Sequence, residues 1–229
     1  MNDVTEAAGL ALGMILSGDA ELAQIVLLSL RVSGTAALLA FLLGLPVAVS
    51  LVTLRFVGRN SLLVLFNAAL GLPPVIVGLV CYLLLSRSGP LGSLGWLFAP
   101  PGMVLAQTIL SFPIVVALAS RAISPIWHET RDLLAIDGAG FRQRMWQLLH
   151  MARPPLVTVF LAAFGRAIAE VGAILVVGGN IRGETRTMTT AIALETQKGD
   201  LPMALGLGSI LLLLCLAVSL GTTLLGRRV

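Results

Sequence analysis

Arg166 and Glu170 carry the chemistry with most to explain in this chain. They stand four residues apart in a run that is otherwise hydrocarbon, and four residues along a helix return to the same face. A charge at bilayer depth costs roughly 2.5–3.5 kcal/mol on insertion scales, so a pair placed there needs a purpose. Two purposes fit. The pair lines a polar pathway or gate and helps an anion past, or it is a mutually neutralising pair that fixes helix packing. The second is favoured, because an unpaired Arg would trap an anion rather than release it. Both keep the two side chains against protein and away from lipid.

Other reactive groups are sparse. Intramembrane hydrolysis needs a nucleophile with a base, or two carboxylates, and Glu170 is the one carboxylate embedded in an apolar run. No catalytic residue is assigned. A phosphate-cradling loop places Lys after a glycine-rich turn, whereas the single Lys, Lys198, is followed by Gly199 and Asp200. The chain is therefore expected to hold no nucleotide or other cofactor itself. His128 and His150 lack a metal-ligand partner set, so no metal site is expected. Cys81 and Cys215 both sit in apolar runs and read as buried thiols.

Prolines at 46, 73, 74 and 113 interrupt apolar runs, where each removes a backbone donor and frees a carbonyl. Broken helices often border transport pathways, although any single proline is more readily a packing kink. The Pro73-Pro74 doublet, beside Gly71 and Gly78, is the best candidate for a pathway-lining element. Asn67, Gln107, Thr108 and Ser111 add uncharged polar groups at depth, as pathway lining or as interhelical glue.

These residues need elements to position them, and the composition names the kind. Hydrophobic residues make up 57% and charged residues 11% of 229, with a mean hydropathy of +0.99, whereas a soluble domain carries about 25% charged residues. The chain is all-α and polytopic, a single transmembrane domain over 1–229. A helix crossing a ~30 Å core needs about 20 apolar residues, and five stretches qualify: 22–54, 61–86, 102–120, 156–177 and 201–225. The first is interrupted by Arg31. Residues 7–16 are apolar but too short to span and are expected to form an interfacial helix, with a short sixth span as the lesser alternative. Within the loop 178–200, residues 187–197 predict a short helix lying on the outer face.

Orientation follows from basic residues around five spans. One set of loops holds nine of them, Arg55, Arg59, Arg121, Arg131, Arg142, Arg144, Arg153, Arg227 and Arg228; the other holds four, Arg87, Arg182, Arg186 and Lys198. The first set should be cytoplasmic, with the amino terminus outside and the carboxyl terminus inside a plasma membrane. The scattered Arg and the net charge of +4 argue for loop anchoring and against a nucleic-acid surface.

Residues 127–153 form a charged island within cytoplasmic loop 123–155. The island reads as helix, a Gly138-Ala139-Gly140 turn, and a second helix whose Phe141, Met145, Leu148, Leu149 and Ala152 share one face. Arg142, Gln143 and Gln147 point elsewhere. A solvated loop with no partner is the plainer alternative, but a glycine-separated helix pair with an ordered apolar face is better suited to docking a soluble protein.

The island resembles the coupling segment of the permease subunits of type I ABC importers, whose pattern is E-A-A, three residues, G, nine residues, I-x-L-P. Gly138 takes the glycine, Asp132 the acidic position, Leu133 and Leu134 the alanines, and Leu148 the isoleucine. His150 and Met151 depart from Leu-Pro, and Pro154-Pro155 follow three residues later. Over 165–199 the chain is similar to molybdate, sulfate and tungstate permeases, and most to the tungstate-uptake group. The resemblance implies ATPase coupling through Asp132, Ala135, Gly138, Ala139, Gly140, Arg142 and Leu148. Pathway or gate candidates are Pro73, Pro74, Ser111, Arg166, Glu170, Thr189 and Thr190. It also implies a second copy of this chain, two cytoplasmic ATPase subunits that bind ATP and Mg, and an extracytoplasmic tungstate-binding protein. The subunit would not be an enzyme by itself. Molybdate or sulfate is the neighbouring cargo. A nucleotide-independent secondary anion transporter or channel, or a membrane-embedded scaffold, is the alternative from another class.

Overall fold

The computed structural model describes residues 10, 13, 16–136, 138 and 140–226. In chain order the helices are α1 Ala20–Thr53, α2 Arg59–Ala68, α3 Pro74–Leu85, α4 Pro100–Ile136, α5 Phe141–Met151, α6 Arg153–Ile168, α7 Gly172–Gly178, α8 Met188–Lys198 and α9 Leu201–Gly226, with 3-10 turns at Ala69–Gly71 and Gly92–Leu94. No strand occurs among the described residues. The chain is all-α, as its composition requires. The interfacial helix expected at 7–16 lies largely outside the described residues.

The centre of the bundle is the α1–α4 pair. Apolar side chains gain little by leaving lipid for each other, so membrane helices associate where small residues allow close approach. The buried side of α1 supplies them in Ser29, Ser33, Ala36, Ala37, Ala40, Gly44 and Ala48. A Cβ placed on Gly44 would stand 2.8 Å from Val115 Cγ1 of α4, so glycine is required there by contact. Toward the end carrying α5, residues from α1, α4, α5 and α6 close over one core that includes Val49, Val115, Ile123, Leu148, Ala152 and Leu156.

Several expected spans differ from continuous rods. Three helices are individually long and apolar enough to cross a membrane, Ala20–Thr53, Pro100–Ile136 and Leu201–Thr223, and two bent pairs raise the number to five. The stretch 61–86 is one of those pairs, with Arg59–Gly71 and Pro74–Leu85 meeting at 100°. Leu72 and Pro73 are extended, because a residue before proline is pushed out of the helical region and Pro74 is accommodated at the first position of a new helix. The third stretch, 102–120, runs on to Ile136 without a break, 37 residues or about 55 Å of helix against a ~30 Å core. Pro113 and Pro125 lie inside it. What the sequence suggested was the first helix of the island is therefore the end of a transmembrane rod. The fourth stretch, 156–177, is α6 and α7 with a break at 169–171.

The segment expected on the outer face is instead folded into the bundle. Met188 and Ala191 of α8 are buried against Leu22 and Ile25 of α1, Ile168 of α6 and Leu207 of α9. Irregular backbone tolerates burial only when its polar groups are satisfied, and here threonines do that. Thr185 Oγ1 donates to Gly178 O at 2.6 Å and accepts from Ile181 N at 2.9 Å. Thr190 Oγ1 accepts from Thr187 N at 3.0 Å, and Ser29 Oγ of α1 accepts from Met188 N at 2.8 Å.

Candidate functional site

The break between α6 and α7 carries Glu170, and it explains why a carboxylate is there. Ending one helix and starting another frees carbonyls on one side and N–H groups on the other. Glu170 Oε1 accepts from Gly172 N at 2.9 Å and, at longer range, from Ala173 N at 3.4 Å. Its other oxygen receives Arg166 Nη1 at 2.6 Å. The carboxylate is thus a helix cap and an ion-pair partner at once, buried to 4% exposure, while the Arg166 side chain stays 41% exposed. Mutual neutralisation describes the pair, with the addition that the acid terminates a broken helix rather than sitting on a continuous one.

Neighbouring helices stitch the freed carbonyls. Gln107 of α4 donates through Nε2 to Ala167 O at 2.8 Å, and Thr189 of α8 donates through Oγ1 to Glu170 O at 2.8 Å. Ser111, also on α4 and buried, lines the small space between Gln107, Arg166 and Glu170. Arg166, Glu170, Ser111 and Thr189 therefore converge on one place. Thr190, buried and engaged with its own loop, serves the fold of that loop.

The second break lies against the first. A Cβ on Gly78 would stand 2.8 Å from Ala173 Cα, and one on Gly172 would stand 2.8 Å from Val75 Cγ2. Helix α3, launched by Pro73 and Pro74, thus packs backbone to backbone on α7, launched by Glu170. Sequence reasoning selected residues at both breaks, Pro73, Pro74, Arg166 and Glu170, as pathway candidates, but missed the break at 169–171 and its contact with the other. It also missed Gly172, although a carboxylate two residues before a glycine N–H is a cap signal.

At the end of the bundle that carries the 178–200 loop, charges are paired. Arg182 makes a two-pronged contact with Glu21, through Nε to Oε1 at 2.7 Å and through Nη2 to Oε2. Arg186 reaches Glu21 at 3.7 Å and Glu195 at 3.4 Å, and Lys198 reaches Glu195 at 3.1 Å. The Glu21 hydrogen bond, then its charge, holds the Arg182 guanidinium above its ordinary pKa. The network fastens this loop to the start of α1.

At the opposite end α4 terminates at a turn where Gly138 has φ +64°, a left-handed conformation that favours glycine. Gly140 N donates to Gln143 Oε1 at 2.9 Å to start α5. Leu148 and Ala152 are fully buried, with Met145 and Leu149 packed beside them. The expected apolar face therefore forms, except that Phe141 is 45% exposed. Leu148 anchors α5 inward and is not part of an outward surface. Asp132, Ala135, Gly140 and Arg142 are exposed, and Asp132 pairs with Arg131 at 3.5 Å. Asp137 and Ala139 lie outside the described residues. The tip also exposes Leu133 at 64%, Ile136 at 82% and Trp146 at 69%, the composition of a docking surface.

A helical chain with three to five segments apolar and long enough to cross a bilayer, and with two broken helices packed back to back, is a multi-pass membrane protein. Residues 37–229 match the family described as binding-protein-dependent transport system inner membrane component, and the chain belongs to that family. It is 41% identical over 212 residues, 90% of each chain, to the "Probable anion ABC transporter permease protein" of Haloferax volcanii. It is 34% identical over 219 residues, 96% of each, to the tungstate uptake system permease protein TupB of Peptoclostridium acidaminophilum. The molybdenum transport system permease protein ModB of Escherichia coli is 34% identical over 190 residues, 77% of this chain and 82% of its own.

Proposed function

We propose that this chain is the permease subunit of an ATP-driven importer of tungstate. The observation that carries the reading is similarity along 96% of its length to a protein named as a tungstate uptake permease. Two copies would enclose the pathway, with the α3–α7 contact and the Glu170 break beside it. Two cytoplasmic ATPase subunits, holding ATP and Mg, would grip the exposed tip around Leu133, Ile136, Gly138 and Trp146. An extracytoplasmic binding protein would deliver the anion at the end fastened by Glu21 and Arg182. The amino terminus would lie outside and the carboxyl terminus in the cytoplasm.

Closure of the ATPase pair would bring the two tips together, and α4 would carry that movement into the spans as a rigid body. Arg166 is neutralised by Glu170, so a tetrahedral dianion meets hydroxyls and backbone dipoles rather than a bare cation, which suits release as well as capture. Molybdate is the second reading, favoured by the similarity to the Escherichia coli molybdenum permease. The test is reconstitution in proteoliposomes with the ATPase and binding protein. Tungstate-loaded binding protein should stimulate ATP hydrolysis and uptake together; uptake driven by an ion gradient without nucleotide would overturn the proposal.

A further inference from the structure

Arg31 is an exposed cation within the membrane-crossing helix α1, and no hydrogen bond or ion pair engages it among the described residues. The one acidic residue of α1 itself, Glu21, is taken by Arg182 and Arg186. A cation on a lipid-crossing helix is costly without a counter-charge or access to the interface, and among the described residues no acidic side chain lines the cavity beside it.

The surroundings specify its form. Arg31 stands at one end of a cavity of about 650 Å³ between α1 and α4, mostly apolar along its length. Trp96, Pro100 and Pro101 border the Arg31 end, where the loop before α4 enters, and Thr35 stands one turn further along α1. From there the groove continues past Leu39 and Leu43, which are 40% and 57% exposed. Leu28 to Leu43 covers about 22 Å of helix, more than the ~15 Å of one leaflet's hydrocarbon. Helical side chains tilt toward the amino-terminal end of their helix, the end of this groove that Trp96 borders, and a long Arg side chain can carry its charge toward the interface. Tryptophan is enriched at the membrane interface. The groove thus has one charge and an interfacial aromatic at one end and hydrocarbon at the other. A free oxyanion would leave that hydrocarbon length unused.

We propose that this groove binds an anionic phospholipid, its phosphate on Arg31 and Thr35 beside Trp96 and one acyl chain along Leu39 and Leu43. The probe is quenching of Trp96 by phospholipids brominated on the acyl chain, in protein carrying Trp127→Phe and Trp146→Phe. Brominated phosphatidylglycerol should compete for the site about five-fold better than brominated phosphatidylcholine, the ratio equivalent to about 1 kcal/mol for one basic residue. The preference should vanish in Arg31→Gln and survive in Arg31→Lys. Native mass spectrometry of the protein with its own three tryptophans should show phosphatidylglycerol retained, and lost in Arg31→Gln. Equal quenching by the two lipids would overturn the proposal. So would protection of Trp96 from both lipids with loss of dimer in Arg31→Gln, which would assign the groove to a second copy. Relief of quenching by millimolar tungstate would assign it to the free anion and equally overturn it.

Discussion

Replacing Glu170 separates its two roles. Glu170→Ala removes the cap on α7, worth about 1 kcal/mol, and strands Arg166. Breaking a fully buried ion pair costs about 3–5 kcal/mol, but the Arg166 side chain is 41% exposed and regains part of its solvation, which brings this loss to about 2 kcal/mol. The sum is about 3 kcal/mol. Glu170→Gln keeps an acceptor for Gly172 N–H and loses only the charge, about 2 kcal/mol. For a chain of this size, 1 kcal/mol moves the melting temperature by about 2–4 °C. The alanine variant should therefore melt about 6–12 °C below the parent and about 2–4 °C below the glutamine variant. Arg166→Ala should be milder than Glu170→Ala, since the carboxylate keeps its backbone donors on Gly172 and Ala173. Thermal unfolding in detergent, followed by tryptophan fluorescence, resolves these differences. Equal melting of Glu170→Ala and Glu170→Gln would refute the capping role, and Arg166→Ala as the worst of the three would refute the account of the pair.

Gly138→Pro should leave membrane insertion and melting near parental values yet uncouple ATP hydrolysis from transport, because proline cannot adopt φ +64°; parental substrate-stimulated ATPase activity would contradict this. Gly78→Val should destabilise by about 1–3 kcal/mol through overpacking against the Ala173 backbone, read as a lower melting temperature. Thr189→Val should cost about 1–3 kcal/mol by leaving the Glu170 carbonyl unpaired in a buried site, with Thr189→Ser restoring most of it. Trp146→Ala should leave melting unchanged while weakening ATPase co-purification by about 2 kcal/mol, or about 30-fold, as loss of an aromatic anchor does.

The all-α class and the glycine turn leading into α5 were legible because they rest on composition, periodicity and the special backbone of glycine, which need no tertiary information. Arg166 and Glu170 were legible as a pair because spacing of four and the cost of burial are local arguments. The break between them was not, since Ala169 and Val171 carry no proline and apolar residues continue on both sides. Helix α8 was placed on the outer face because its threonines fall in the loop between two apolar spans. They are instead spent on backbone groups that burial would otherwise leave bare, a use that only the folded contacts reveal. The reach of α4 beyond the bilayer was hidden because its polar end has the same helical period as its apolar beginning. The end of that helix and Trp146 together form the exposed tip, which spacing alone divided between two short helices.

Because α4 is a single 37-residue rod, its geometry amplifies. A tilt of only 5° about its middle would sweep each tip through about 2.4 Å, given about 27 Å of lever arm on either side. Gly44 meets Val115 close to that midpoint, so a close contact between α1 and α4 falls near the fulcrum, where travel is least. Large strokes at the extremities can thus coexist with a centre that scarcely shifts, leaving the dense middle free to seal while the ends swing.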